Sequence, residues 1–360
     1  MWKFLLLLSS LVALSACNHQ AAPNHTASNF SSTTASTSFT GEQLRMIGRF
    51  DTSTQGKAQF TWPGSAVEFR FSGTSAAIAL GSTGDVRFQV DVDGAVQDLW
   101  VKNGEATYTL ASGLTKGEHT VRLTRLTESF ALVTSVLGDP IVDGTLLPAP
   151  AAAPRRLLVI GDSITAGYGV EGADQSCHYE AHTSNQQLTY AALAANELNA
   201  DLHAIAWSGI GAWRSYGEKT PVNPSILVRY QRTLADDANS RWDASQYQPD
   251  AILITIGTND YWEGSVSDDY RAGMKTLIGM VQADYANKPV YLILSPMLGG
   301  VQRESQKTIL GSLVSPNVKV IDLGKIEPTD GLGCDWHPNK ITNQRMGKTL
   351  VQNLKTDLNW

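Results

Sequence analysis

Two hydrophobic rhythms divide this chain. From about Gly41 to Asp143 apolar residues recur at every second position. Val67, Phe69 and Phe71 alternate with Glu68 and Arg70, and Val86, Phe88, Val90 and Val92 with Arg87, Gln89 and Asp91. Such alternation marks strands with one face buried and the other wet. Asp93-Gly94 and Asn103-Gly104 are turn pairs between runs, and Val121 and Leu123 resume the alternation after Lys116-Gly117. The pattern predicts about seven or eight short strands and no helix, folded as a β-sandwich or jelly roll over residues 41–143.

After a Pro/Ala-rich stretch (Leu146 to Pro154, within a linker set at 144–155) the rhythm changes. Apolar runs predict strands at Leu157–Gly161, Leu202–Trp207, Ala251–Ile256, Val290–Leu294 and Val318–Leu323. Helical spacing predicts helices at Tyr190–Leu198, Ser225–Leu234, Ser267–Ala283, Glu304–Leu313 and Asn339 to about Leu358. Strand and helix in alternation imply an α/β domain over 156–360, with a flavodoxin-like parallel sheet covered by helices.

The N-terminus follows neither rhythm. Lys3 precedes an apolar run from Phe4 to Leu14, and Ser15-Ala16-Cys17 follow, which reads as a secretory signal. Leu14-Ser-Ala-Cys17 resembles a bacterial lipobox, whose cysteine becomes the lipidated first residue; an ordinary signal with an incidental Cys17 is the alternative. Asn18 in the next position leans towards the outer membrane, so the expectation is a lipid-anchored envelope protein. Residues 18–40, rich in Ser, Thr, Ala and Asn, bury too little to offset their ordering entropy and read as a tether. Removing Cys17 leaves Cys177 and Cys334, an even pair in an exported chain. They are expected to form a disulfide, with two free buried thiols as the alternative.

Composition adds mainly exclusions. A net charge of -6 speaks against a nucleic-acid partner, which needs clustered Lys and Arg. No run of about 18 apolar residues is present to span a membrane. In the first domain His119 reads as structural, and Trp62 and Trp100 read as core more readily than as sugar platforms.

The chemistry lies at the strand ends. Gly161-Asp-Ser163 follows the first predicted strand of the α/β domain, Trp207-Ser-Gly-Ile-Gly211 the second, and Gly257-Thr-Asn-Asp260 the third. Cys334-Asp-Trp-His-Pro338 precedes the last helix. Parallel strands bring these loops to one sheet edge, where α/β sheets bind ligands. Singly each is weak: a serine there is more often a helix cap, and Gly-Thr-Asn-Asp more often a turn. Together they supply an acyl-transfer site. Ser163 is the candidate nucleophile and His337 its base. The N–H groups of Ser163 and Gly209 and the Asn259 amide are candidate oxyanion donors.

The set resembles the SGNH, or GDSL-like, hydrolase superfamily, whose blocks contribute Ser163, Gly209, Asn259 and His337. A small β-sandwich ahead of the hydrolase and the Cys-Asp-Trp-His-Pro block are similar, more narrowly, to carbohydrate esterase family 2. That resemblance covers about residues 41–360. It implies an esterase without metal or cofactor that deacetylates polysaccharides such as acetylxylan or acetylated glucomannan. A lipid, peptidoglycan or O-antigen esterase, or a non-catalytic polysaccharide-binding lipoprotein, is the competing reading. The protein is expected to be monomeric.

One position departs from the superfamily pattern. The acid normally stands three residues before the histidine, where this chain has Cys334. Asp335 is two before, and in an extended segment its side chain would lie about 6.6–7 Å from that of His337. Either Asp335 reaches the ring through an irregular loop, or a backbone carbonyl orients it, an arrangement known among relatives. Trp213, Tyr261, Trp262 and Trp336 lie in or beside these loops and are candidates for sugar stacking.

Overall fold

The computed structural model describes residues 43–128, 130, 132–264 and 268–360. The signal-like segment, Cys17 and the tether lie outside the described residues. Among the described residues, eleven strands build the first domain: β1 (Leu44–Ile47), β2 (Lys57–Phe60), β3 (Ala66–Gly73), β4 (Ala76–Ser82), β5 (Val86–Val92), β6 (Ala95–Val101), β7 (Gly104–Ala111), β8 (Gly117–Arg125), β9 (Thr134–Leu137), β10 (Ile141–Val142) and β11 (Thr145–Leu147). One antiparallel sheet runs β1-β3-β8-β5-β6 with β11 also on β3. The other runs β10-β4-β9-β2 with β7 on β4. The alternating residues Val67, Phe69, Phe71, Phe88, Val90, Val121 and Leu123 pack in the core between them.

The expected linker begins later than its Pro/Ala composition suggested. Thr145–Leu147 pair with Ser72, Phe71 and Arg70 of β3. Only the proline-containing part, which cannot donate to a ladder, connects the domains.

The second sheet contains β12 (Arg155–Gly161), β13 (Ala200–Ala206), β14 (Ala251–Thr255), β15 (Val290–Ile293) and β16 (Val318–Ile321). Its strands are all parallel, in the order β13-β12-β14-β15-β16. This is the flavodoxin-like order. Leu158 and Ile160 point into one core with Ile252 and Ile254, whereas Leu157 and Val159 point into the other with Leu253. Burial on both faces is why these strands read as unbroken apolar runs. Helices α1 (Ser163–Ala166), α2 (Tyr190–Glu197), α3 (Ile226–Arg229), α4 (Asp268–Asp284), α5 (Gly300–Gly311) and α6 (Lys340–Leu358) follow in order. The first core packs against α3, α4 and α5, the second against α2 and α6.

The helix expected over Ser225–Leu234 is a single turn. The Tyr230 carbonyl, which Leu234 N would need to carry it on, accepts from the buried Arg49 guanidinium of the first domain, as does the Arg232 carbonyl. The same interface holds Trp62, whose indole N–H donates to Thr233 O at 2.9 Å and whose ring joins the α/β core. His119 is structural, bonded to Asp93 and the Thr115 carbonyl. Among the described residues, no helix is long and apolar enough to cross a membrane.

Candidate active site

Ser163 opens α1 directly after β12. The turn is tight: a Cβ on Gly161 would fall 2.0 Å from the Thr165 hydroxyl. Asp162 caps α1, its carboxylate accepting from Ile164 N at 3.0 Å, and burial pushes its carboxyl up to about 7.

The Ser163 hydroxyl lies 2.8 Å from Nε2 of His337. Nδ1 of the same ring lies 3.0 Å from both the Cys334 and the Asp335 carbonyl oxygens. Carbonyls only accept, so the proton of the neutral ring sits on Nδ1 and Nε2 turns its lone pair to Ser163. Burial holds His337 below the ordinary histidine value, against the pull of these carbonyls.

Of the two expected arrangements the structure shows the backbone one, and the catalytic role offered for the Asp335 carboxylate is corrected. The segment is not extended: Cys334–Trp336 form a 3-10 turn, with φ 49° at Asp335 and 62° at Trp336. Two successive left-handed residues turn the main-chain carbonyls onto the imidazole and send the carboxylate away. It accepts from the Tyr168 hydroxyl at 2.6 Å and pairs with His178 Nδ1 at 2.8 Å. Burial alone would raise this carboxyl, but the bonds from Tyr168 and His178 outweigh it and hold it below the usual range. Tyr168 in turn stacks on His337, centroids 4.2 Å apart.

Cys177 and Cys334 are disulfide-bonded. The bridge joins the loop after the nucleophile to the histidine loop. Main-chain bonds from Cys334 N to Gly169 O (3.1 Å) and from Asp335 N to Cys177 O (3.0 Å) run beside it.

Gly209 has φ 77°, a left-handed conformation that a side chain disfavours. Among the described residues, the N–H groups of Ser163 and Gly209 have no partner. Asn259 donates one amide hydrogen to Ile210 O at 2.8 Å and keeps the other. Asp260, beside it, accepts from the N–H groups of Ala212 (3.0 Å), Trp213 (2.8 Å) and Arg214 (3.1 Å). Its carboxyl is pushed up to about 6 by burial, against those three bonds. Asn259 and Asp260 thus fasten the third loop to the second. Ser163, Gly209, Asn259 and His337 line one open cavity of about 720 Å³.

A family model described as the carbohydrate esterase 2 N-terminal domain matches residues 46–150, and one for the GDSL-like lipase/acylhydrolase family matches 159–345. A solved family two carbohydrate esterase from Clostridium thermocellum, in complex with cellohexaose, superposes with a TM-score of 0.85 at 33% identity. The match covers 88% of this chain and 99% of that one. The chain belongs to carbohydrate esterase family 2. It is also 35% identical to the cellulase/esterase CelE of Acetivibrio thermocellus over 87% of its own length, but spans only 39% of that protein. An acetylxylan esterase / glucomannan deacetylase of Cellvibrio japonicus is 27% identical, the match covering 82% of this chain and 85% of that protein.

Within this family member the four aromatic candidates separate. Trp262 and Trp336 line the cavity, and Trp336 is 61% exposed. Tyr261 reaches the cavity wall, but its ring belongs to the core and its hydroxyl pairs with Ser305. Trp213 does not line the cavity; it lies under the Arg214 guanidinium, 4.9 Å from the ring centroid. Four further aromatics line the cavity without a signal in the sequence: Tyr168, Tyr179, Tyr216 and Phe130. Tyr216, 69% exposed, stands 5.7 Å from Trp262. Single aromatics in loops carry no periodic signal, so only their meeting in space marks them. Among the described residues no group of three or more His, Cys, Asp or Glu is placed to hold a metal.

Proposed function

We propose that the protein is a serine esterase that removes acetyl groups from carbohydrate, of the acetylxylan or acetylated glucomannan kind. The observation that carries this is the His337 ring, fixed by two carbonyls with Nε2 at 2.8 Å from the Ser163 hydroxyl. Ser163 Oγ attacks the acetyl carbon while Nε2 takes its proton. The oxyanion is met by the N–H groups of Ser163 and Gly209 and the free amide hydrogen of Asn259. As the ester C–O bond breaks, the imidazolium returns its proton to the sugar oxygen. A water, deprotonated by the same nitrogen, then releases acetate from the acyl-enzyme. The carbohydrate substrate is supported by the names of the relatives and by the rim of Tyr216, Trp262 and Trp336, flat faces suited to sugar rings.

The test is acetate release from acetylxylan, acetylated glucomannan and peptidoglycan in parallel, with p-nitrophenyl acetate as the small probe. Ser163→Ala should abolish turnover of all of them, and release only from peptidoglycan would redirect the substrate assignment. The cellohexaose complex of the similar structure favours one second reading, carbohydrate binding without turnover. Sugar affinity in a wild-type protein that hydrolyses none of the esters would select it.

The proposal includes a lipid anchor at Cys17, a place in the bacterial envelope and a monomeric state. Fractionation of cells carrying Cys17→Ser tests the anchor: the variant should leave the membrane fraction.

A further inference from the structure

The loop after β8 belongs to the sandwich by connectivity, yet it ends in the active site of the other domain. Arg125, the last residue of β8, is fully buried. Its guanidinium donates to Thr127 O at 3.0 Å, Thr134 Oγ1 at 2.9 Å and Leu132 O at 3.3 Å, gathering the loop around itself. The loop is docked by Gln186 N, which donates to Leu126 O at 2.9 Å. Phe130 lines the cavity from this loop, edge-on to Tyr179 at 4.9 Å.

Glu128, 3% exposed, faces Ser208. One carboxylate oxygen accepts from Ser208 N at 2.8 Å, and the other from the Ser208 hydroxyl. A carboxylate is costly to bury unless it is paired in this way. Burial pushes it up to about 7, against the two Ser208 bonds. Ser208 directly precedes Gly209, so both the main chain and the side chain of the residue before the oxyanion glycine are anchored on the sandwich.

We propose that Glu128 is a positioning residue for hydrolysis: by gripping Ser208 twice it aims the Gly209 N–H at the oxyanion. It touches no reacting atom. The inference rests on the esterase reading and adds that the sandwich is part of the catalytic apparatus.

The experiment uses the full-length chain and p-nitrophenyl acetate, with kcat, KM and melting temperature measured for E128A, E128Q, S208A and E128A/S208A. A weakened oxyanion donor lowers kcat and leaves ground-state binding alone. E128A should lose about 10- to 100-fold in kcat with KM within about two-fold. E128Q, which keeps the shape and an acceptor oxygen, should recover most of that loss. S208A, which keeps the main-chain bond, should lose less than E128A, and the double variant no more than E128A alone, because the hydroxyl acts only through Glu128. Wild-type kcat in E128A overturns the proposal, as does equal loss in E128A and E128Q that follows the melting temperature. Should E128A not fold, S208A with unchanged kcat overturns it. Failure of the esterase reading looks different: a wild type that hydrolyses none of the esters, or activity that survives Ser163→Ala.

Discussion

At position 335 the main chain, rather than the side chain, meets the imidazole. Asp335→Ala is therefore expected to lower kcat/KM only a few-fold, where loss of a triad aspartate costs about 10⁴-fold; that larger loss would return the carboxylate to the ring. The ranking of substitutions should follow backbone preference. Asn and Gly, which accept φ 49°, should retain activity, whereas Val or Ile should lose it although the side chain does not touch the ring. His337 makes a second prediction. Because burial holds its imidazole below the ordinary value of 6.5, the acid limb of kcat/KM against pH should have its midpoint below 6.5. As pH falls below that ordinary value, the unfolded chain binds a proton that the folded ring refuses, so the fold weakens. A midpoint above 6.5 would contradict the burial. Ser163 and His337 were legible because strand ends and motif spacing are local signals. Where the Asp335 carboxylate points was not, because it depends on two left-handed residues that neither Asp nor Trp advertises.

Elements place the four loops. The strands were readable because burial on both faces leaves an unbroken apolar run. The helix after Ser225 was over-read because the arginine that takes its carbonyls lies 181 residues away. The histidine loop is held by the Cys177–Cys334 bridge, which closes a sequence separation of 157. Cys177→Ser with Cys334→Ser should cost about 2–4 kcal/mol in denaturant unfolding. It should also lower kcat, since the Cys334 and Asp335 carbonyls lose their anchor beside Gly169. An unchanged kcat would assign the bridge to stability alone. The third loop offers a parallel case: Asn259→Ala should lower kcat by about 10²–10³-fold, as for loss of one oxyanion donor. A change confined to KM would move Asn259 from the transition state to ground-state binding.

Across the whole molecule the two domains share more than a tether. Trp62 is 1% exposed and sits in the α/β core, and Arg49 is buried over the turn after α3. Trp62→Ala should cost about 3–5 kcal/mol, and calorimetry of the wild type should show one transition for both domains. Two separated transitions would mean that the interface does not couple them. Period-two and helical rhythms mark each domain by itself, but contacts between domains leave no periodic trace, which is why Glu128 and Trp62 were unreadable as links. The Trp62 contact also ranks the steps of folding. Its acceptor, the Thr233 carbonyl, lies 171 residues further along the chain, so the indole has a seat only once the α/β half has formed. Until then the sandwich half exposes an aromatic that the complete molecule hides.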